Sequence, residues 1–168
     1  MKLVMAAVTI SFVSLPASTT LGRAPRAPFT LSVSLPQSVV KSGSNMEVDV
    51  LMKNVSHKDM PVIRIVGTAE AHYDITVTDG EGKPAVATRY ERMLRGESPL
   101  TDHHSSMIDS LKPSQTMQEM FYVNQLYDLS KPGTYAIHVR MTVYARRPGK
   151  DAQEIPVSAN VVTLTVTD

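Results

Sequence analysis

Short runs in which every second residue is apolar follow one another from Phe29 to the C-terminus, and they constrain the fold more than any other feature. Phe29, Leu31, Val33 and Leu35 alternate with Thr30, Ser32 and Ser34, and Pro36 ends the run. After a Ser42-Gly43-Ser44-Asn45 turn, Val48, Val50 and Met52 alternate with Glu47, Asp49 and Lys53. The pattern returns in Tyr73, Ile75 and Val77, in Tyr135, Ile137, Val139, Met141 and Val143, and in Val162, Leu164 and Val166. Successive side chains of a strand point to opposite faces, so a period of two buries one face and wets the other. Strands of this kind belong to antiparallel sheets, not to a parallel core covered on both sides. Further strands are predicted around 61–66 and 116–123, with another around 85–92 returning from an Asp79-Gly80-Glu81-Gly82 hairpin turn. No stretch sustains a helical period. The reading is an all-β fold, an immunoglobulin-like antiparallel β-sandwich of about 7–9 strands.

The first residues obey a different rule. Lys2 precedes a 13-residue apolar run, Leu3 to Leu15, which Pro16 breaks before small residues follow from Ala17 to Gly22. That order reads as a secretory signal peptide over 1–22. The run is shorter than the ~20 residues that span a bilayer, so no membrane span is expected after its removal. Ala17, Gly22 and Ala24 are all suited to the cleavage point. Residues 23–28, Arg-Ala-Pro-Arg-Ala-Pro, read as an extended linker because each proline holds its predecessor extended. The domain then occupies 29–168, and the expected location is secreted or periplasmic.

Composition removes several classes of function. The chain has no cysteine, so a disulfide, a thiolate zinc site and a cysteine nucleophile are all absent. Its formal net charge is +1, and loss of Lys2 brings it to zero. A nucleic-acid partner is not expected, since binding to phosphates needs a basic excess.

Few residues suggest chemistry. His103 and His104 lie beside Asp102 and Asp109, ligand types that suit zinc or copper. Adjacent side chains on extended backbone point apart, so the pair reads as an exposed polar loop. His57, His72 and His138 are scattered. Glu47 and Asp49 share a wet strand face and read as solubilising. Asp74, Asp79 and Glu81 lack the spacing of a calcium loop and read as turn chemistry. No Gly-x-Ser-x-Gly elbow is present. Asn54-Val55-Ser56 matches a glycosylation acceptor pattern. Met93, Met107, Met117 and Met120 read as filling for an irregular core. The expectation is a non-enzyme without cofactor or metal. The least regular stretch is 93–113, and long irregular loops are often functional. Its residues Met93, Leu94, Leu100, His103, His104, Met107 and Ile108 are the candidate partner contacts. The competing reading makes part of the stretch a short helix covering an open end of the sandwich.

The run Leu126-Tyr127-Asp128-Leu129-Ser130-Lys131-Pro132-Gly133-Thr134-Tyr135-Ala136-Ile137 resembles the corner before the penultimate strand of immunoglobulin-like domains. In such corners a tyrosine hydroxyl reaches back to the backbone, and Tyr135 matches that tyrosine. Ile137 stands where disulfide-bearing members have cysteine. The chain over roughly 45–143 also resembles bacterial domains of the intracellular proteinase inhibitor type, on Lys53-Asn54-Val55-Ser56, on Tyr73 to Lys83 and on Leu111-Lys112-Pro113-Ser114. That resemblance implies an inhibitor, and an export signal would make its target extracytoplasmic. No inhibitory residue transfers. The functional expectation is therefore an exported, non-catalytic binding or accessory module acting through loops or a strand edge on a protein or cell-envelope component. The alternative is an extracytoplasmic proteinase inhibitor.

Overall fold

The structure is a computed structural model and describes residues 27–65, 69–97, 106–145 and 153–168. The predicted signal segment, and the linker up to Arg26, lie outside the described residues. In chain order the elements are β1 (Phe29–Ser34), β2 (Val39–Lys41), β3 (Glu47–Asn54), β4 (Met60–Ile65), a 3-10 turn (Ala69–His72), β5 (Asp74–Asp79), α1 (Arg89–Leu94), β6 (Ser106–Leu111), β7 (Thr116–Tyr122), α2 (Val123–Leu126), β8 (Gly133–Ala145), β9 (Gln153–Ser158) and β10 (Val162–Thr167). One sheet runs β1-β3-β7 and the other β2-β10-β8-β5, with β9 also pairing β8. β4 and β6 form a two-stranded ribbon. The fold is an all-β, immunoglobulin-like sandwich.

The alternation read from the sequence sets its core. Phe29, Leu31 and Val33 of β1 and Val48, Val50 and Met52 of β3 are buried from one sheet. Ile75 and Val77 of β5, Ile137 and Val139 of β8, and Leu164 and Val166 of β10 meet them from the other. Burying each of these side chains stabilises the fold by about 1.5–3 kcal/mol. The tyrosine corner is present as expected: the Tyr135 hydroxyl donates to the Lys131 carbonyl at 2.8 Å. The Asp79 turn is also as expected. Its Oδ1 accepts the amides of Glu81 and Lys83, and Gly82 sits at φ +79°, where a side chain would be strained.

Three expectations need correction. β2 pairs β10 in parallel, so the sandwich is not purely antiparallel. No strand covers 85–92: after isolated bridges at Pro84 and Ala87 the chain turns into α1. Thr88 caps that helix, its Oγ1 accepting the Glu91 amide at 3.2 Å and donating to Gln125 O at 2.6 Å. Gly96 closes it at φ +86°. The Thr88-x-x-Glu91 spacing and the trailing glycine are start and stop signals for a helix. The expectation of a strand returning from the Asp79–Gly82 turn obscured them. Finally, 106–111 is not irregular but the strand β6, in register with β4 from Met60↔Leu111 to Ile65↔Ser106.

Asn54, fully buried, ends β3 and organises the step into the ribbon. Its Nδ2 donates to Lys58 O and Leu111 O, each at 2.8 Å. Its Oδ1 accepts the Ser56 amide and hydroxyl, also at 2.8 Å. The amide of this Asn-Val-Ser triplet is thus committed inside the fold and is not displayed as a glycan acceptor.

Candidate functional site

The densest polar cluster closes one flank of the sandwich, between β7 of one sheet and β5 of the other. β7 turns Glu119 inward between Met117 and Phe121, an unusual place for a carboxylate. The buried Tyr73 hydroxyl donates to Glu119 Oε2 at 2.7 Å, and His72 Nδ1 lies 3.2 Å from the same oxygen. Glu70 Oε1 accepts the Tyr90 hydroxyl at 2.7 Å, which ties the 3-10 turn to α1. Arg95 completes the closure, with Nε on Glu91 Oε1 at 2.9 Å and Nη2 on Tyr73 O at 3.0 Å. Burial, followed by the Glu70 hydrogen bond and charge, raises the Tyr90 hydroxyl well above the usual phenol range. Burial, then the charge of Glu91, pushes the Tyr127 hydroxyl up to about 12, and that hydroxyl donates to Ile75 O. Here His72 and Glu119 side chains are only 7% and 5% exposed, so the group is enclosed by the fold. Of the scattered histidines, His72 alone is drawn into this cluster; an isolated histidine carries no local signal for a partner 47 residues away.

Of the residues expected to touch a partner, Met93 and Leu94 lie on α1 and Met107 and Ile108 on β6. Leu94 packs against the hydrophobic core from α1, and Met93 beside it is half-buried. Met107 and Ile108 lie on β6 opposite Arg64 and Ile63. Leu100, His103 and His104 lie outside the described residues. Only the last two residues of α1 fall within the stretch. Among the described residues, no group of three or more histidine, aspartate or glutamate side chains is placed to hold one metal ion. None of the described helices is long and apolar enough to cross a membrane.

Shallow depressions mark the surface of the described residues. One, of about 260 Å³, lies at the sandwich end between the β2–β3 turn and the loop after α2, lined by Gly43, Met46, Thr88, Asn124, Asp128 and Ser130 among others. Hydrogen bonds from the Ser130 side chain and amide hold the Asp128 carboxyl below its ordinary range. Another, of about 210 Å³, lies on the outer face of the larger sheet at Thr76, His138, Arg140 and Ser158. There Arg140 Nη2 is 2.6 Å from Asp74 Oδ2.

No family model and no curated protein matches this chain. Among solved structures it is similar to the C-terminal domain of Wzt, at 16% identity over 85% of this chain and 75% of that one, with a TM-score of 0.42. It is similar to a β-glucosidase from Listeria innocua in complex with isofagomine, at 15% identity and a TM-score of 0.37, over 78% of this chain but 16% of the enzyme. The ASH/PapD-like domain 7 of human CEP192 aligns over 97% of this chain and 99% of its own length, at 10% identity and a TM-score of 0.36. Likeness at this level concerns architecture alone.

Proposed function

We propose that this chain is an exported, non-catalytic binding module that acts through its loops and strand edges on a protein or cell-envelope component. The observation that carries this reading is the use made of the buried ionisable side chains. Glu119 is bound to Tyr73 and His72 across the flank between the two sheets, Glu70 to Tyr90, and Glu91 to Arg95. They fasten the fold, and loops and strand edges remain at the surface to offer a partner. The apolar run at 3–15 supports export.

The test uses the full chain with a C-terminal tag, produced in a bacterial cell. Its mature N-terminus is sequenced and the exported fraction is cross-linked. The reading expects a new N-terminus just after Ala17, Gly22 or Ala24 and a specific cross-linked adduct. Substituting Leu100, His103 and His104 together by serine should weaken that adduct while the thermal transition stays in place. A chain retained in the cytoplasm with Met1 intact would overturn the export reading. An adduct with a protease whose activity falls in proportion would move the conclusion to the inhibitor alternative.

A further inference from the structure

The flank opposite the acid–tyrosine cluster brings β1 of the smaller sheet beside β9 of the larger one, and no backbone ladder joins them. Val55 N donates to Pro28 O, so the even-numbered residues of β1 turn their backbone groups toward β3. Phe29, Leu31 and Val33 therefore turn theirs to the edge that no described strand pairs. Asn160, in the link between β9 and β10, meets that edge. Its Oδ1 accepts the Val33 amide at 2.9 Å and its Nδ2 donates to the Val33 carbonyl at 2.9 Å. A carboxamide bound this way occupies both positions that a neighbouring strand would fill on that residue.

The facing edge has its own device. Ala159 N donates to Val139 O, which makes Val139↔Ala159, Met141↔Val157 and Val143↔Ile155 the hydrogen-bonded pairs of the β8–β9 ladder. Pro156, opposite Thr142, falls between them, so its nitrogen faces away from β8. A proline there costs the ladder nothing and removes one donor from the free edge of β9. The inner face of the same strands is apolar: Leu31, Val33, Ile155 and Val157 are all buried. An unprotected strand with this alternation is a template for another strand.

We infer that Asn160 and Pro156 are edge guards that keep this flank from adding to the same flank of a second copy of the chain. The binding proposed above is tested at Leu100, His103 and His104, and this inference at Asn160 and Pro156, so the failure of one leaves the other standing. The test compares the full chain with Asn160→Ala and Pro156→Thr, by sedimentation over a wide concentration range and by amide hydrogen exchange. Asn160→Ala should gain mass with concentration relative to the unaltered chain, toward a doubling. Its Val33 amide should exchange fast when dilute and slowly when concentrated. Pro156→Thr removes no hydrogen bond of the native chain and should likewise gain mass, so it decides the matter if Asn160→Ala does not fold. Variants that track the unaltered chain at every concentration, with Val33 exchange independent of concentration, would overturn the inference and leave Asn160 a mere tie between the sheets.

Discussion

Replacing Asn54 by alanine tests the physical account of this fold most directly. The side chain is fully buried and makes four hydrogen bonds, two as donor and two as acceptor. A protein hydrogen bond contributes a net ~0.5–1.5 kcal/mol, and a buried carbonyl left without a donor costs ~1–3 kcal/mol. Lys58 and the Ser56 groups are close to solvent and recover part of their loss from water. Leu111 O is enclosed and does not. The expected loss is about 3–4 kcal/mol, a large share of the ~5–15 kcal/mol that holds a domain together. For a chain of this size it corresponds to a fall of about 6–16 °C in melting temperature, taking ~2–4 °C per kcal/mol. Urea and thermal unfolding read it. Asn54→Asp is the informative companion. It keeps the shape and the acceptor, but it faces two carbonyls with a carboxylate, so its folded pKa is raised above the unfolded value. Its stability should therefore be greatest below the ordinary carboxylate range and fall as pH rises through the raised pKa. An Asn54→Ala chain that melts within about 2 °C of the unaltered one would refute the reasoning, because it would mean those four bonds contribute less than ~1 kcal/mol together.

Tyr135→Phe removes the corner hydroxyl from an exposed carbonyl and should cost only about 0.5–1.5 kcal/mol in a urea titration, with the slope unchanged. Thr88→Ala should cost about 1 kcal/mol and speed amide exchange in α1 well before that in β8, since the cap serves the helix locally. At alkaline pH, Tyr127 is held neutral in the fold, its pKa raised from 10.0 to about 12. Its contribution is therefore complete below about 10 and lost as pH rises through about 12, and Tyr127→Phe should flatten the fall of melting temperature over that window.

Much of the sandwich could be read along the chain because strand burial depends on parity, a property of neighbours two apart. That is why Val48, Val50 and Met52, or Leu164 and Val166, were assignable to the core without any partner in view. The corner at Tyr135 and the turn at Asp79 were legible for a similar reason, their hydrogen bonds reaching only four residues. The helix at 89–94 was missed although its cap and its glycine were in plain sight. The hairpin turn before it made the same letters read as a returning strand. The candidate site was the least legible part. Of the seven residues singled out in 93–113, Leu94 packs against the core, while Glu70, Glu91 and Glu119, which the structure draws into the fold, were not singled out at all.

By itself the sequence determined the class of fold, the inward faces of its strands, its local turns and the absence of any disulfide. Which strand lies beside which, the one parallel pair, the closure of one flank by acids and tyrosines and the capping of the other by Asn160 were decided only in three dimensions. Val33 and Asn160 are 127 residues apart, and Tyr73 and Glu119 are 46 apart. Side-chain parity says which face of a strand is dry, but it is the same for every order and direction in which those strands can be stacked. The choice among them falls to the particular polar groups that find each other once the apolar faces have met.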